Sequence, residues 1–234
     1  ERSIIESVPA PVAVIVSFPS NPTAQVVSIE FYEEVVKIAL KYNVYILSDL
    51  AYAEIYYDNS PPPSILQIPK AKEVAVEFTS MSKTYAMAGW RIGFAVGNKR
   101  LINALTRIKS YLDYGAFTPV QVAAAAALNG PQDCVKEIRN TYQKRRDVLI
   151  NSMARAGWNI PSPKASMFAW APIPDKYKDK GSLEFAKELM LKADVAVSPG
   201  VAFGEFGEGF VRVGLVENEQ RIKQAAKNIK KLLQ

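Results

Sequence analysis

The chain has 234 residues, a formal net charge of +6 and 49% hydrophobic residues, which is an ordinary globular composition. It contains no histidine, and this excludes Ser-His-Asp and Cys-His catalytic sites and histidine metal ligands. Cys134 is the single cysteine, so no intrachain disulfide can form, and its helical context predicts a small buried residue. We therefore expect no metal site and a reduced, cytoplasmic setting. The modest net charge does not require a nucleic-acid partner, and we expect none. The sequence has no apolar run of about 18 residues, so it predicts no membrane span.

The first half of the chain alternates predicted strands and helices. Continuous apolar runs predict strands that are covered on both faces. Amphipathic patterns predict helices that begin after the N-caps Ser28 and Asn98. This order indicates the α/β class, with a mostly parallel sheet flanked by helices. The predicted strands are residues 12–18, 44–48, 74–79 and 91–97.

The second half has the pattern of a smaller α+β domain. A long polar helix is predicted over about residues 133–156, and we place the domain change inside it, near residue 140. The sequence thus predicts a first domain over residues 1–140 and a second over residues 141–234. The other predicted elements are a helix from Thr118 to Gly130, strands at 166–171 and 210–216, a helix at 183–192 and a last helix capped by Asn218.

The segment of residues 80–93 carries the strongest chemical signal. Lys83 follows a predicted buried strand, where partial desolvation lowers the pKa of an amine and makes it nucleophilic. The hydroxyls of Ser80 and Ser82 and the guanidinium of Arg91 are suited to binding a phosphate group. Together these residues suggest a phosphorylated aldehyde cofactor, although each alone is more often a surface lysine, a loop hydroxyl or an ion-paired arginine.

Two other polar segments also follow predicted strands. Asp49 and Tyr52 come after the second strand, and Asn21 comes after the first. Ligands bind at the carboxyl edge of open parallel sheets, and an aspartate there could keep a cofactor's pyridine nitrogen protonated. An isolated aspartate is more often a helix cap or turn former, and Asn-Pro alone indicates only a turn.

In their order and spacing, these segments resemble the fold-type I pyridoxal-phosphate aminotransferases of class I/II. Ser-x-Ser-Lys followed by Gly-x-Arg-x-Gly, within residues 80–93, is that family's specific cofactor-lysine signature. Asn-Pro-Thr-Ala at 21–24 and Asp-x-Ala-Tyr at 49–52 lie at the positions the family leads us to expect. The resemblance covers essentially the whole chain and ends with the substrate-carboxylate segment at 211–214. The residues most similar to the alanine (glutamate–pyruvate) transaminase branch are 21–25, 83–94 and 164–170.

The resemblance implies a role for each site residue. Lys83 would bind pyridoxal 5'-phosphate covalently and later carry a proton between the substrate Cα and the cofactor. Asp49 would pair with the pyridinium nitrogen, while Asn21 and Tyr52 would hydrogen-bond the cofactor's phenolic oxygen. Arg212 would bind the α-carboxylate of the substrate, Asn21 is expected to contribute to substrate binding as well, and the Asn21–Pro22 peptide is expected to be cis. The implied phosphate ligands are Ser80, Ser82 and Arg91.

The resemblance implies a homodimeric transaminase that moves an amino group between an amino acid and a 2-oxo acid. Alanine and glutamate with pyruvate and 2-oxoglutarate are the expected substrates. The alternatives are an LL-diaminopimelate or aspartate transaminase, a β-lyase on the same fold, and a non-catalytic fragment. Family members are usually longer, so we expect the C-terminal portion of a longer enzyme, with an exposed apolar surface and an unpaired sheet edge.

The remaining glycine-rich and aromatic features receive structural interpretations. Residues 204–209 lack the lysine and hydroxyl of a phosphate loop, so we expect a flexible connection near the substrate. Four aromatic side chains are expected in the core or in a pocket wall rather than as stacking platforms for bases. They are Trp158, Trp170, Phe203 and Phe206.

Overall fold

The computed structural model describes residues 1–234, which form two compact units. Unit 1 contains residues 1–19 and 26–138, and unit 2 contains residues 20–25 and 139–234. The short segment 20–25 therefore belongs to unit 2, although the chain on both sides of it belongs to unit 1. No helix is long and apolar enough to cross a membrane.

Unit 1 is built on a four-stranded sheet in the order β1-β2-β3-β4. The strands β1 (Ala13–Ser17), β2 (Tyr45–Asp49) and β3 (Ala75–Ser80) run parallel, and β4 (Gly93–Gly97) runs antiparallel to β3. The prediction of a mostly parallel sheet is confirmed. Residues 81–92 form α4 and a 3-10 turn and bring the chain back to the end of β3, where Gly93 pairs with Ser80 and the antiparallel ladder begins.

The helices of unit 1 begin where the sequence provides capping residues. Ser28 precedes α2 (Ile29–Tyr42) and Asn98 precedes α5 (Lys99–Leu112), and each side-chain oxygen accepts a backbone N–H from the first turn. Both predicted N-caps are confirmed. The other helices of this unit are α1 (Arg2–Glu6), α3 (Ala71–Val74), α4 (Met81–Thr84) and α6 (Thr118–Asn129), with 3-10 turns at Ile65–Gln67 and Ala88–Trp90.

The core of unit 1 packs α2 against the sheet. Tyr32 and Val36 of α2 contact a cluster that includes Ile46 of β2 and Ile65 of the 3-10 turn, all of them buried. Each such side chain contributes about 1.5–3 kcal/mol when it leaves water. This packing fixes the strands whose ends carry the candidate site.

The outer surfaces of unit 1 differ from the prediction. Ile15 of β1 is 74% exposed, and Phe94 and Val96 of β4 are exposed as well, so the expectation of strands covered on both faces is wrong for β1 and β4. The amphipathic helix α5 also has no buried residue. Within residues 1–234, nothing covers these surfaces fully.

Unit 2 combines helices with a small antiparallel sheet. Its strands β5 (Phe168–Pro172), β6 (Ser198–Pro199) and β7 (Phe210–Gly214) have the order β5-β7-β6. The long helix α7 (Asp133–Ala156) contains the boundary between the units. The other helices are α8 (Gly181–Ala193) and α9 (Glu219–Leu233), and the 3-10 turns are Asp175–Lys180, Gly200–Phe203 and Glu205–Gly207.

Trp158 lies in the core of unit 2, as predicted. Its ring meets Phe185 of α8 edge-on at a centroid distance of 5.5 Å, and its Nε1 donates to the Pro172 carbonyl at 2.7 Å. Buried tryptophan stabilises a core most when its N–H finds such an acceptor. The predicted N-cap Asn218 is also confirmed, because its side-chain oxygen accepts the Arg221 N–H at the start of α9.

Two sequence expectations about single side chains are wrong. Cys134 is exposed, because it lies on the solvent side of the first turn of α7. Phe206 is also exposed, since the 3-10 turn Glu205–Gly207 directs it to the surface rather than into a core or pocket wall. A Cβ atom on Gly200 would lie 1.9 Å from the Gly207 carbonyl oxygen, so the two turns of this region touch through glycine backbone.

Candidate active site

The polar residues of unit 1 gather at the carboxyl edge of its parallel strands. Ser17, Asp49 and Ser80 are the last residues of β1, β2 and β3. Ser17 and Asp49 are register partners, so the two side chains share this edge. Open α/β sheets bind their ligands at this edge, outside the strands.

Two donors hold the Asp49 carboxylate in place. The Ser17 hydroxyl donates to Oδ2 at 3.3 Å, and the Ala51 backbone N–H donates to Oδ1 at 3.2 Å. The second bond is the Asx-turn geometry by which aspartate starts a loop. An ionised carboxylate accepts about four hydrogen bonds, so Asp49 can bind a further donor from a ligand.

Lys83 and Tyr52 come together although the sequence separates them. Lys83 lies in α4, directly after β3, and its Nζ is 5.8 Å from the centroid of the Tyr52 ring. Both side chains are half-buried. The amine, the phenol and the Asp49 carboxylate thus follow two neighbouring strands of one sheet, β2 and β3.

The predicted phosphate ligands flank the turn between β3 and β4. Ser80 caps α4, because its hydroxyl accepts the Ser82 backbone N–H at 3.2 Å. Ser82 is buried beneath this turn. Arg91 has a left-handed backbone, with φ of 50°, and its exposed guanidinium donates to the Ala88 carbonyl at 3.0 Å.

The ladder between β3 and β4 relates these ligands to one another. Ser80 pairs with Gly93, and the Met81 N–H donates to the Ile92 carbonyl at 3.2 Å. A Cβ atom at Gly93 would lie 2.5 Å from the Thr79 carbonyl oxygen, so this close approach requires glycine. The ladder therefore joins both ends of the segment that contains Lys83 and Arg91.

Arg212 is the polar centre of the candidate site in unit 2. Its Nη1 donates to Asn21 Oδ1 at 2.7 Å, and its Nη2 donates to Ser198 Oγ at 3.3 Å. Its Cζ lies 4.6 Å from the Phe203 ring centroid and 5.0 Å from that of Phe168. A guanidinium carries five N–H donors in a planar fork, so two donors in use leave the others for a carboxylate.

The sequence predicted Arg212 and Asn21 but not the rest of this arrangement. Ser198, Phe168 and Phe203 were not predicted to contact Arg212. One signal could have identified Phe168. Trp170 of β5 lies opposite Arg212 of β7, and Phe168, two residues before Trp170, points to the same face of the sheet. The Asn21–Pro22 peptide is cis, as expected.

The predicted residues therefore form two groups, one in each unit. Unit 1 holds Asp49, Tyr52 and Lys83 together with Ser80, Ser82 and Arg91, and unit 2 holds Asn21 and Arg212. Direct contacts join Lys83 to Tyr52 and Ser80 to Ser82 in unit 1, and Arg212 to Asn21 in unit 2.

The sequence profile of the aminotransferases of class I and II matches residues 2–229. The chain belongs to this family. The predicted resemblance is thus confirmed, and the cofactor of this family is pyridoxal 5'-phosphate.

Individual relatives agree with this assignment. The chain is 60% identical over its whole length to a protein of Rhizobium meliloti (strain 1021) that bears the name "Putative aminotransferase AatC". It is 57% identical, over 98% of its length, to the glutamate-pyruvate aminotransferase AlaC from Escherichia coli (strain K12). An LL-diaminopimelate aminotransferase from Moorella thermoacetica (strain ATCC 39073 / JCM 9320) is 43% identical over 93% of the chain. The chain covers 58%, 56% and 55% of these three proteins, in that order.

The fold agrees with that of solved aminotransferases. An aminotransferase structure from Staphylococcus aureus superposes with a TM-score of 0.90 at 32% identity. The superposition covers 99% of this chain and 61% of that one. The chain thus spans little more than half the length of the aminotransferases that it matches.

The donor set of unit 1 fits pyridoxal 5'-phosphate. An amine and a carboxylate follow adjacent parallel strands, as covalent attachment and pairing with a ring nitrogen require. The hydroxyls of Ser80 and Ser82 and the guanidinium of Arg91 lie at the connection between β3 and β4, and groups of this kind are suited to binding phosphate.

Proposed function

We propose that the protein is a pyridoxal-phosphate-dependent transaminase that moves an amino group between an amino acid and a 2-oxo acid. The observation that carries this proposal is the position of Lys83 beside Tyr52, with Asp49 at the end of the adjacent strand. The bound cofactor supplies an electron-withdrawing ring that stabilises the negative charge left on the substrate Cα. Residues 1–140 act as the cofactor-binding domain in this proposal, and residues 141–234 act as the small domain.

The residues of unit 1 bind and orient the cofactor. Asp49, fixed by Ser17 and Ala51, would accept a hydrogen bond from the pyridinium N–H, and its negative charge would keep that nitrogen protonated. Lys83 would hold the cofactor through its aldehyde group and would later move the proton of the substrate Cα. Tyr52 would donate to the phenolic oxygen, and Ser80, Ser82 and Arg91 would bind the phosphate.

The residues of unit 2 bind the substrate. Arg212 clamps the α-carboxylate through two parallel N–H donors, and Asn21 and the two phenyl rings keep the guanidinium plane in one orientation. Asn21 also hydrogen-bonds the cofactor's phenolic oxygen in this proposal. A lysine would not provide the same planar fork.

We further propose alanine and glutamate, with pyruvate and 2-oxoglutarate, as the substrates. The higher identity to the glutamate-pyruvate aminotransferase, 57% against 43% for the LL-diaminopimelate aminotransferase, supports this choice. The rival substrates are LL-diaminopimelate and aspartate, since the same cofactor-binding residues serve all of these reactions.

An absorbance titration tests the cofactor assignment. The protein expressed from its complete gene should develop the visible band of lysine-bound cofactor when pyridoxal phosphate is added. Lys83→Ala should remove the band, while Lys72→Ala, at an exposed position of α3, should retain it. If the wild-type protein shows no band, or if Lys83→Ala keeps it, the proposed function is wrong.

Half-reactions with single amino donors test the substrate assignment. Alanine and glutamate should convert the cofactor to its amine form, and the band should return with pyruvate or 2-oxoglutarate. Conversion by LL-diaminopimelate or aspartate, with none by alanine, would replace the proposed substrates with these rivals. Conversion by no donor, with the cofactor band intact, would favour a non-catalytic role.

We also propose a homodimer in the cytoplasm. Tyr111, Leu112, Tyr114 and Phe117 form an exposed apolar segment at the end of α5, which is a surface typical of protein interfaces. A single cysteine is consistent with a reducing compartment. Light scattering on the purified protein tests the dimer, and replacing Tyr114 and Phe117 with serine should weaken it.

A further inference from the structure

Glu77 is a buried carboxylate in the middle of β3, with only 5% of its surface exposed. Burying a charged carboxylate is costly unless donors replace its water. Its neighbours on the covered face of the sheet are apolar core residues, including Ala75. A leucine or valine would fit such a position at lower cost, so the presence of a carboxylate needs a reason.

Three neutral donors reach Glu77. The Ser64 hydroxyl donates to Oε1 at 2.7 Å, the Ile65 backbone N–H donates to Oε2 at 3.1 Å, and the Ser48 hydroxyl donates to Oε2 at 3.4 Å. We call these four residues the Glu77 cluster. Burial, with a smaller effect from the negative charge of Glu77, raises the pKa of the neighbouring Tyr32 to about 12, so Tyr32 stays neutral.

The Glu77 cluster joins both ends of one loop. Ser48 is the last residue of β2 before Asp49, and Ser64 and Ile65 begin the 3-10 turn where the chain returns to the core. The loop between them, residues 49–63, contains Asp49 and Tyr52. Glu77 therefore binds both ends of the loop that carries two of the proposed cofactor ligands. The proposed chemistry does not use the Glu77 side chain itself.

We infer that Glu77 is a positioning residue: it closes the loop of residues 49–63 and so fixes Tyr52 against the cofactor's phenolic oxygen. This inference rests on the proposed function. Tyr52 itself touches the cofactor, and Glu77 acts only through it. The carboxylate is suited to this task because one side chain accepts from both ends of the loop at once.

The absorbance band of the bound cofactor changes with pH, and the midpoint of that change reports directly on the hydrogen bond that Tyr52 donates. A donor to the phenolic oxygen favours the state in which the Lys83-derived nitrogen has lost its proton. Removing the donor with Tyr52→Phe should raise the midpoint by about 1 pH unit, the effect of one hydrogen bond to a charged group. Glu77→Ala should raise it by about half as much, because Tyr52 remains but is no longer held in one place.

A double-mutant cycle separates positioning from general destabilisation. In the Tyr52→Phe background, Glu77→Ala should add no further shift, because the two residues act in series. The matched control is Val36→Ala, which damages the same core without touching the loop and should leave the midpoint unchanged. Ser64→Ala is the milder variant if Glu77→Ala does not fold, and it should produce a smaller shift of the same sign.

Each outcome is informative. A midpoint in Glu77→Ala or Ser64→Ala that matches the wild type, or a full additional shift in the Tyr52→Phe background, would overturn the inference. A wild-type protein without any band would overturn the proposed function instead.

Limited proteolysis without cofactor then tests Glu77 alone. Cleavage within residues 49–63 should be several-fold faster in Glu77→Ala than in Val36→Ala at equal global stability. Equal cleavage rates would contradict the role of Glu77 in closing the loop.

Discussion

The two units hold their candidate functional residues in different ways. In unit 1, Asp49 is the last residue of β2 and is held by the Ala51 N–H, and Lys83 lies in the short helix α4 directly after β3. In unit 2, Arg212 lies inside β7, and its partners include a buried phenylalanine of the paired strand β5. The groups of unit 1 thus follow the ends of parallel strands, whereas Arg212 lies within a strand; in the proposed function the chemical steps belong to unit 1 and substrate recognition to unit 2.

This contrast predicts different kinetic signatures for the two units. Changes in unit 1 should lower kcat, because they affect groups that act on the reacting atoms. Changes at Arg212 should mainly raise KM, because they affect binding of a carboxylate that does not react.

Asp49→Asn should produce the largest effect. The amide is isosteric and can still accept the Ala51 N–H, but it lacks the charge that keeps the pyridinium nitrogen protonated. We expect kcat to fall by about 10²–10³-fold, the range for removing one preorganised electrostatic contact, with little change in KM. Steady-state kinetics with alanine measures this effect. A variant within twofold of the wild type would remove Asp49 from the chemical step.

Arg212→Lys should produce the next largest effect, and this effect should appear mainly in KM rather than in kcat. Lysine keeps the charge but loses the bidentate fork and the stacking on Phe168 and Phe203. We expect kcat/KM to fall by about 10²-fold, mainly through KM. The matched control is Ser198→Ala, which removes one 3.3 Å bond and should cost less than about tenfold. A loss in kcat alone would contradict the division of roles between the units.

The sequence predicted the parts of the fold that depend on local signals. Apolar runs, and the caps Ser28, Asn98 and Asn218, located most strands and helices to within a few residues. The sequence alone could not show that β4 runs antiparallel, since that depends on the path that residues 81–92 take between β3 and β4. The amphipathic pattern of α5 could not show how far its apolar face is covered, and no residue of this helix is buried.

The candidate site shows the same division. Lys83, Asp49 and Arg212 were predicted from motifs whose residues are adjacent in sequence. Glu77 was not, because its partners are distant in sequence and come together only through strand pairing and turn packing, and Phe203 was expected in the core or a pocket wall but not against Arg212. Residues that position other residues are therefore harder to predict than residues that perform the chemistry.

Phe203→Leu tests how far stacking holds Arg212 in place. The ring lies 4.6 Å from the guanidinium carbon, and a cation–π contact is worth about 0.5–2 kcal/mol. We expect KM for the amino acid to rise by about 3- to 10-fold while kcat stays the same. Phe206→Leu is the matched control, since Phe206 is exposed in the adjacent turn and should behave as the wild type. Equal effects of both variants would mean that stacking does not matter.

Glu208→Gln should produce the smallest effect, and it concerns stability. Glu208 Oε1 accepts the Ser182 N–H at 2.6 Å and the Gly209 N–H at 2.8 Å, and its Oε2 accepts the Ser182 hydroxyl at 3.0 Å. The same hydroxyl accepts the Val201 N–H at 3.1 Å. Glu208 thus caps α8 and holds the turn that carries Phe203. The amide should destabilise the protein by about 1 kcal/mol, as the loss of a helix cap does.

The pH dependence of the stability difference between the wild type and Glu208→Gln identifies the Glu208 carboxylate as the source of that difference. The backbone N–H groups of Gly209 and Ser182 lower the pKa of Glu208 below its ordinary value. A lowered folded-state pKa gives stability that is present above the unfolded pKa of about 4.3 and is lost as the pH falls through the folded value. Thermal unfolding of the wild type and Glu208→Gln should therefore differ at pH 7 and converge at acidic pH. Glu205→Gln, in the same segment, should match the wild type at every pH, and a constant offset for Glu208→Gln would show that packing rather than charge holds the turn.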